Sequence, residues 1–367
     1  MANVRILHVS RMRLDAPFSS LDPARTERAL HMAKESFASL ADTVRREKID
    51  LLLLGPECLA HGYASEETVR LFCDVLSSLE PTAVMLLPGK SDAYSEHSLY
   101  AGMRFAPHVR LFSESALRKV TLKRLGVTVY GRARLQEEIT PPLSAQAEED
   151  SLVHIFFGQG DETAEEIASI GADVAFLPGA ENSVCEQCGV LICKTGACVR
   201  RGFDECGKGS ATLLDLTVEP SGQISCDARE LPLFPLHYER ITVPLDGARC
   251  DADVTERLRA ALDQHRFDQT TCLSVAFTGA LPLDFPIYAL GNAVSALCSS
   301  FFYTEMKNET EAETRTRVSE GAARRGLSLH SALIEGAEET LSGEDAEAVR
   351  AASAALEGRR IGDVLSF

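Results

Sequence analysis

At 367 residues the chain exceeds one average domain, and its 45% hydrophobic and 25% charged residues are those of a soluble globular protein, not a disordered one. Its formal net charge of -17 opposes a broad nucleic-acid-binding surface, which needs Lys and Arg in excess, while leaving room for a local basic pocket. No stretch has the length and purity of a membrane span and the N-terminus lacks a secretory pattern, so a cytoplasmic chain is expected, its eleven cysteines reduced or ligating metal where they cluster.

Val4, Ile6, Leu7 and Val9 predict a buried first strand, followed by a loop that carries Arg11 and Arg13. At the carboxyl end of such a strand an open α/β sheet places its chemistry. Asp22-Pro23 supplies an N-cap with proline at the first helical position, and Leu30, Ala33, Phe37, Leu40 and Val44 predict one long amphipathic helix to about Lys48. A buried strand at Leu51 to Leu54 stops at Gly55-Pro56, which predicts a parallel pair with a right-handed crossover. The unit then repeats, with a helix through Val69 to Leu79 and a strand at Ala83 to Leu87 that ends in Pro88-Gly89-Lys90-Ser91-Asp92. Short strands are expected at Val109 to Phe112, Val127 to Tyr130, His154 to Phe157 and Val174 to Leu177, with a short helix around Glu165 to Ile170. From Val190 to about Val243 the pattern changes to short strands and turns, among them Leu213 to Val218 and Glu219-Pro220-Ser221-Gly222. A small α+β unit follows: a helix at Asp253 to His265, a strand around Leu273 to Phe277, a helix at Leu290 to Leu297 and a strand at Phe301 to Met306. Beyond about Glu309 the composition is that of acidic helices, read as a solvated tail or a partner-docking element.

The order of these turns resembles that of the SbcD/YhaO-type DNA-repair exonucleases, a branch of the calcineurin-like metallophosphoesterases, over nearly the whole chain. ILHVSRMRLDAPF is similar to the family's first motif, in which a strand leads into Asp-x-His and then Leu-Asp-x-Pro-Phe. Asp50 to Pro56 resembles its Gly-Asp motif, Leu87 to Asp92 its Pro-Gly-Asn-His-Asp motif, Ile155 to Gly158 its His-Gly strand and Gly171 to Glu181 its Ala-Leu-Gly-His-x-His segment. Thr195 to Gly209 is similar to its Pro-Gly-Ser-Pro and Phe-Gly-Glu stretch, and Phe301 to Thr310 to the end of its capping domain.

The resemblance implies two packed β-sheets flanked by helices over residues 1–240, an α+β capping domain over 241–308 and a helical segment over 309–367. In the family two Mn²⁺ or Mg²⁺ ions, about 4 Å apart, clamp phosphate and generate the nucleophile. By this alignment the metal-binding and acid positions carry Arg11, Arg13, Pro56, Lys90, Ser91, Phe157, Gly179 and Glu181, and only the supporting Asp92 is kept. Arg, Pro, Phe and Gly side chains cannot ligate those cations. Arg11, Arg13 and Lys90 put positive charge where metal charge would sit. They are expected either to hold a phosphate or DNA backbone without cutting it, or to pair with Asp92, Glu181 or Glu57 and keep a former site folded.

Cys185, Cys188, Cys193, Cys198 and Cys206 crowd together and are compatible with structural zinc, against the plainer reading of reduced thiols. His8 reads as a satisfied core histidine, while His61 and His97 fall in loops at the same sheet edge as the family site. The chain is therefore expected to be an inactive family member serving as a binding or assembly subunit in DNA metabolism. The resemblance implies an SbcC-type coiled-coil ATPase or an active nuclease paralogue as its partner. The alternatives are an active metal-dependent exonuclease or phosphodiesterase with non-standard ligands, and a structural protein that forms a homodimer.

Overall fold

The computed structural model describes residues 2–135, 143, 151–219, 224–282 and 284–312. Its first half runs β1 (Ala2–Val9), α1 (Pro23–Ala38), α2 (Leu40–Arg46), β2 (Leu51–Leu54), α3 (Glu66–Ser77), β3 (Ala83–Leu86), α4 (Leu99–Gly102), β4 (Val109–Leu111), β5 (Arg118–Leu122) and β6 (Val127–Gly131). Then come β7 (Val153–Phe157), α5 (Ala164–Ser169), β8 (Val174–Pro178), β9 (Ser183–Gln187), β10 (Val190–Thr195), β11 (Gly207–Val218), β12 (Ile224–Pro244), α6 (Asp251–Asp263), β13 (Thr271–Leu281), α7 (Tyr288–Leu297) and β14 (Tyr303–Ala312). No helix among the described residues is long and apolar enough to cross a membrane.

The strands form an eight-stranded sheet, β14-β13-β12-β11-β1-β2-β3-β4, and a six-stranded sheet, β5-β6-β7-β8-β10-β9. Side-chain alternation explains why they stack. In β1, Val4 and Ile6 join Leu51, Leu53, Met85, Ile155 and Phe176 in the core between the sheets. Leu7 and Val9 join Leu52, Leu54, Phe37 and Phe72 under α1 to α3 on the outer face. The leucine run of β2 is thus buried on both sides, as a central parallel strand requires. On the outer face of the second sheet, Tyr130, Phe156 and Ile192 pack with Ile167 of α5. The result is the expected α/β architecture of two sheets flanked by helices.

The predicted long helix is broken in two. Ser39 caps α1 with its amide on Glu35 and its hydroxyl on the Ser36 carbonyl, and α2 restarts at Leu40. Residue 241 lies inside β12, and from Ile241 onward a separate apolar cluster with Leu258, Val275, Phe277 and Leu290 packs α6 and α7 on β12 and β13. Residues 309–312, expected to be helical, extend strand β14 because they pair in parallel with Thr278 to Leu281. The expected helical segment beyond them, and the turn at 220–222, lie outside the described residues.

Candidate functional site

The carboxyl ends of β1, β2, β3, β7 and β8 converge on a cavity of about 450 Å³. The first sheet contributes Arg11 after β1, Pro56 and Glu57 after β2 and Lys90 after β3. The second sheet contributes Arg134 after β6, Gln159, Gly160 and Asp161 after β7, and Pro178, Gly179 and Ala180 at the end of β8.

The loops that present these residues are tightly fixed. Arg11, Arg13 and Glu57 all adopt left-handed backbone, at φ of 50°, 43° and 64°. Such conformations cost on the order of 1 kcal/mol or more each in residues with a Cβ, and persist when the surroundings enforce them. Here the enforcement is a backbone zipper between the exits of β1 and β2: the amides of Arg11, Arg13 and Leu14 donate to the carbonyls of Pro56, Glu57 and Cys58 at 3.0, 3.0 and 2.9 Å. The buried Asp92 carboxylate ties in the exit of β3, accepting from the amides of Gly89 (2.7 Å), Cys58 (2.8 Å) and Leu59 (3.2 Å) and from the Tyr100 hydroxyl (2.6 Å). Burial pushes the Asp92 carboxyl up from its ordinary value, and these four donors offset part of that push. Gly89 is required beside it, since a Cβ there would lie 2.6 Å from that of Pro56.

Arginines fill the space beside and beneath the cavity. The Arg11 guanidinium donates to the carbonyl of Gly179, while its Nε is buried without a partner. Burial lowers the Arg11 pKa, Glu205 counteracting it. Arg201, only 6% exposed, donates to the carbonyls of Met12 (2.9 Å), Arg13 (2.6 Å) and Ala16, and lies 4.5 Å over the Phe18 ring. Burial, together with the nearby Arg13 cation, pushes its pKa down to about 9. On the other wall Arg134 pairs with Asp161, and Gln159 donates to the Pro88 carbonyl at 2.8 Å, linking the two sheets.

Of the positions aligned on the sequence resemblance, Arg11, Pro56, Lys90 and Gly179 line one cavity, and Ser91 adjoins it through its amide on Glu57 Oε1 at 3.2 Å. Arg13 is not in the lining, because its guanidinium is held by Glu205 at 2.6 Å. Glu181 forms a two-point pair with Arg200 (3.1 and 2.7 Å), and Phe157 is fully buried between the sheets, edge-on to His8 at 5.5 Å. The ion pairs expected with Asp92 and Glu181 are thus replaced: Asp92 is occupied by amides and Tyr100, Glu181 by Arg200. Arg134, Gln159 and Asp161, and the arginines of the 200–201 pair, escaped sequence reasoning. Arg134 stands just past an apolar strand as Arg11 does, which is the signal that would have found it.

The donor set does not fit a pair of Mn²⁺ or Mg²⁺ ions. The lining carboxylates are Glu57 and Asp161; the first accepts from Ser91 and the second is paired with Arg134, against three lining cations. Among the described residues no group of three or more His, Cys, Asp or Glu is placed to hold a metal. His61 and His97 are exposed and outside the lining. His8 is fully buried, its Nε2 3.0 Å from the Gly55 carbonyl and its Nδ1 without a partner, so the histidine expected to be satisfied is only half so. Burial pushes its pKa down to about 4.

The first three of the crowded cysteines, weighed as zinc ligands against plain reduced thiols, fall in a β-hairpin of β9 and β10. Cys188 and Gly189 form its two-residue loop with φ of 52° and 76°, both positive as a tight hairpin turn demands. Cys185 pairs opposite Ile192 and Cys193 opposite Val184, so the two thiols point to opposite faces of the sheet. Cys198 is buried in the core under α1 to α3, Cys206 donates to the Phe203 carbonyl at 3.0 Å, and Cys188 reaches Glu165 at 3.6 Å. Chain spacing brought these thiols close in sequence, and strand alternation dispersed them.

No protein-family model matches the chain, and no curated protein does. Similar solved structures include TT1561 of Thermus thermophilus, 13% identical with a TM-score of 0.38, the match covering 62% of this chain and 99% of that one. They also include Vps29 of Chaetomium thermophilum, 13% identical with a TM-score of 0.26 over 62% of this chain and 97% of that one. Vacuolar protein sorting 29 of Cryptosporidium parvum is 11% identical, with a TM-score of 0.30 over 63% of this chain and all of its own length (100%).

Proposed function

We propose that this chain is a metallophosphoesterase-like protein that does not hydrolyse phosphoesters and serves as a cytoplasmic binding or assembly subunit in DNA metabolism. One contact supports this reading above all: Arg11, aligned with the family's first metal-binding aspartate, donates to the carbonyl of Gly179, aligned with a late histidine ligand. The Arg11 guanidinium thus links the two sheets at positions that the resemblance aligns with metal ligands. Its charge is permanent, it accepts no hydrogen bond, and it cannot polarise a water into a nucleophile. Together with the exposed Lys90 it gives one wall of the cavity a cationic face suited to holding a phosphate oxygen, while Arg134 is paired with Asp161. The two lining carboxylates, Glu57 and Asp161, are engaged by the Ser91 amide and by Arg134. The setting beside an SbcC-type ATPase or an active nuclease paralogue is part of this proposal and rests on the sequence resemblance.

The test is turnover of bis(p-nitrophenyl) phosphate and of linear DNA by the full chain with Mn²⁺ added. Wild type is expected to match the protein-free blank. Mn²⁺-dependent turnover that disappears in Glu57→Ala or Asp161→Ala would establish the active-enzyme alternative instead.

A further inference from the structure

At the opposite ends of the parallel strands, where β3 and β4 begin, lies a second cavity of about 340 Å³. Its walls are the open edges of the two sheets, since β4 ends the eight-stranded sheet and β5 ends the six-stranded one. Arg110, Lys123 and Arg124 line it, all exposed, and among the described residues no Asp or Glu does. The charge is local and runs against that of the whole molecule: residues 104–124 carry Arg104, Arg110, Arg118, Lys119, Lys123 and Arg124 against Glu114 alone, in a chain of net charge -17. Glu114 is itself taken up by Arg118, and Arg124 donates to the neutral Pro81 carbonyl at 3.2 Å and has no carboxylate partner among the described residues. Among the described residues neither Arg110 nor Lys123 has a carboxylate partner. The floor between the cations is apolar: Val120, Leu122 and Leu125 are half-buried at the margin of the inter-sheet core.

We infer that this groove is a docking site for an acidic, amphipathic segment of a partner protein, its carboxylates on Arg110, Lys123 and Arg124 and its apolar side chains on Val120 and Leu122. Charge complementarity selects the occupant's sign. The apolar floor selects a peptide over a nucleic acid, because a duplex is held by a long track of cations on its phosphates, whereas this patch is short and the remainder of the chain is acidic. Among the described residues β5 has a strand neighbour on one side alone, so its other edge offers main-chain groups that an extended segment can use.

Fluorescence anisotropy of the full chain with a labelled peptide of alternating glutamate and leucine tests the site, with a leucine-to-serine peptide, a glutamate-to-glutamine peptide and a labelled DNA duplex alongside. Wild type is expected to bind the first peptide, to bind both substituted peptides more weakly and to lose affinity as salt rises. The double variant Arg110→Glu with Lys123→Glu is expected to lose about tenfold or more in affinity. The milder Lys123→Gln should lose less, with both variants melting like wild type because the side chains are exposed. Absence of peptide binding by wild type, or equal binding by wild type and the double variant, overturns the inference. Duplex DNA bound more tightly than the peptide, and through the same residues, would make the groove a nucleic-acid site and overturn it equally.

Discussion

Two cavities with cationic walls lie at opposite ends of the same sheets, and they treat their charges differently. At the carboxyl ends of the strands nearly every charge is committed to the fold: Arg11 to Gly179, Arg13 to Glu205, Arg134 to Asp161, Arg200 to Glu181 and Arg201 to three carbonyls. In the groove between β4 and β5 the cations are exposed, with no lining carboxylate among the described residues. Charge engaged by carbonyls and carboxylates between the sheets is part of the scaffold, whereas charge gathered on a sheet edge has no such duty. Substitutions at the first cavity should therefore change stability, and substitutions at the second should change binding alone.

The largest effect is expected at Asp92. Asp92→Ala strands three amides and the Tyr100 hydroxyl in a buried site and should cost about 4 kcal/mol in chemical denaturation, whereas Asp92→Asn retains some of the acceptors and should cost less. If Asp92→Ala unfolds at the wild-type midpoint, the wiring of the strand-end loops is not what holds them.

His8 sets the next effect, through pH. Its folded pKa of about 4 lies below the ordinary 6.5, so the unfolded chain takes up the proton first on acidification. The stability it contributes is complete above pH 6.5 and is lost as pH falls toward 4, worth roughly 3 kcal/mol over that window. His8→Phe should flatten this slope, and an unchanged slope would assign the acid sensitivity elsewhere.

Arg201→Met keeps an apolar contact with Phe18 but removes the guanidinium donor from the carbonyls of Met12, Arg13 and Ala16, of which Arg13 retains the Ala16 amide, for an expected loss of about 2 kcal/mol. The smallest effect closes the comparison. Lys123→Ala and Arg110→Ala should leave the melting curve unchanged, and a clear destabilisation there would erase the distinction between the two cavities.

Much of the scaffold was legible because burial on both faces leaves a strong mark. Leu51 to Leu54 reads as a central strand, and Val4, Ile6, Leu7 and Val9 divide between two cores as their alternation implies. Edge strands were not legible. β5 (RKVTL) and β9 (SVCEQ) are mostly polar, with no fully buried position, so no apolar run announces them. β12 hides behind its prolines: Pro232 and Pro235 fall at the register shift where β12 bulges from β11, before His237 pairs with both β11 and β13, and a bulge tolerates a missing amide. At the site, the aligned turns named Arg11, Pro56, Lys90 and Gly179, all of which line the cavity, but could not foresee that Arg13 and Glu181 are drawn off by Glu205 and Arg200, since those partners come from a distant turn.

Anomalous diffraction from crystals grown with Mn²⁺ tests the central claim most directly. The Arg11 guanidinium seated on the Gly179 carbonyl predicts no manganese peak in that cavity. Two adjacent manganese peaks there, with Arg11 displaced, would contradict it.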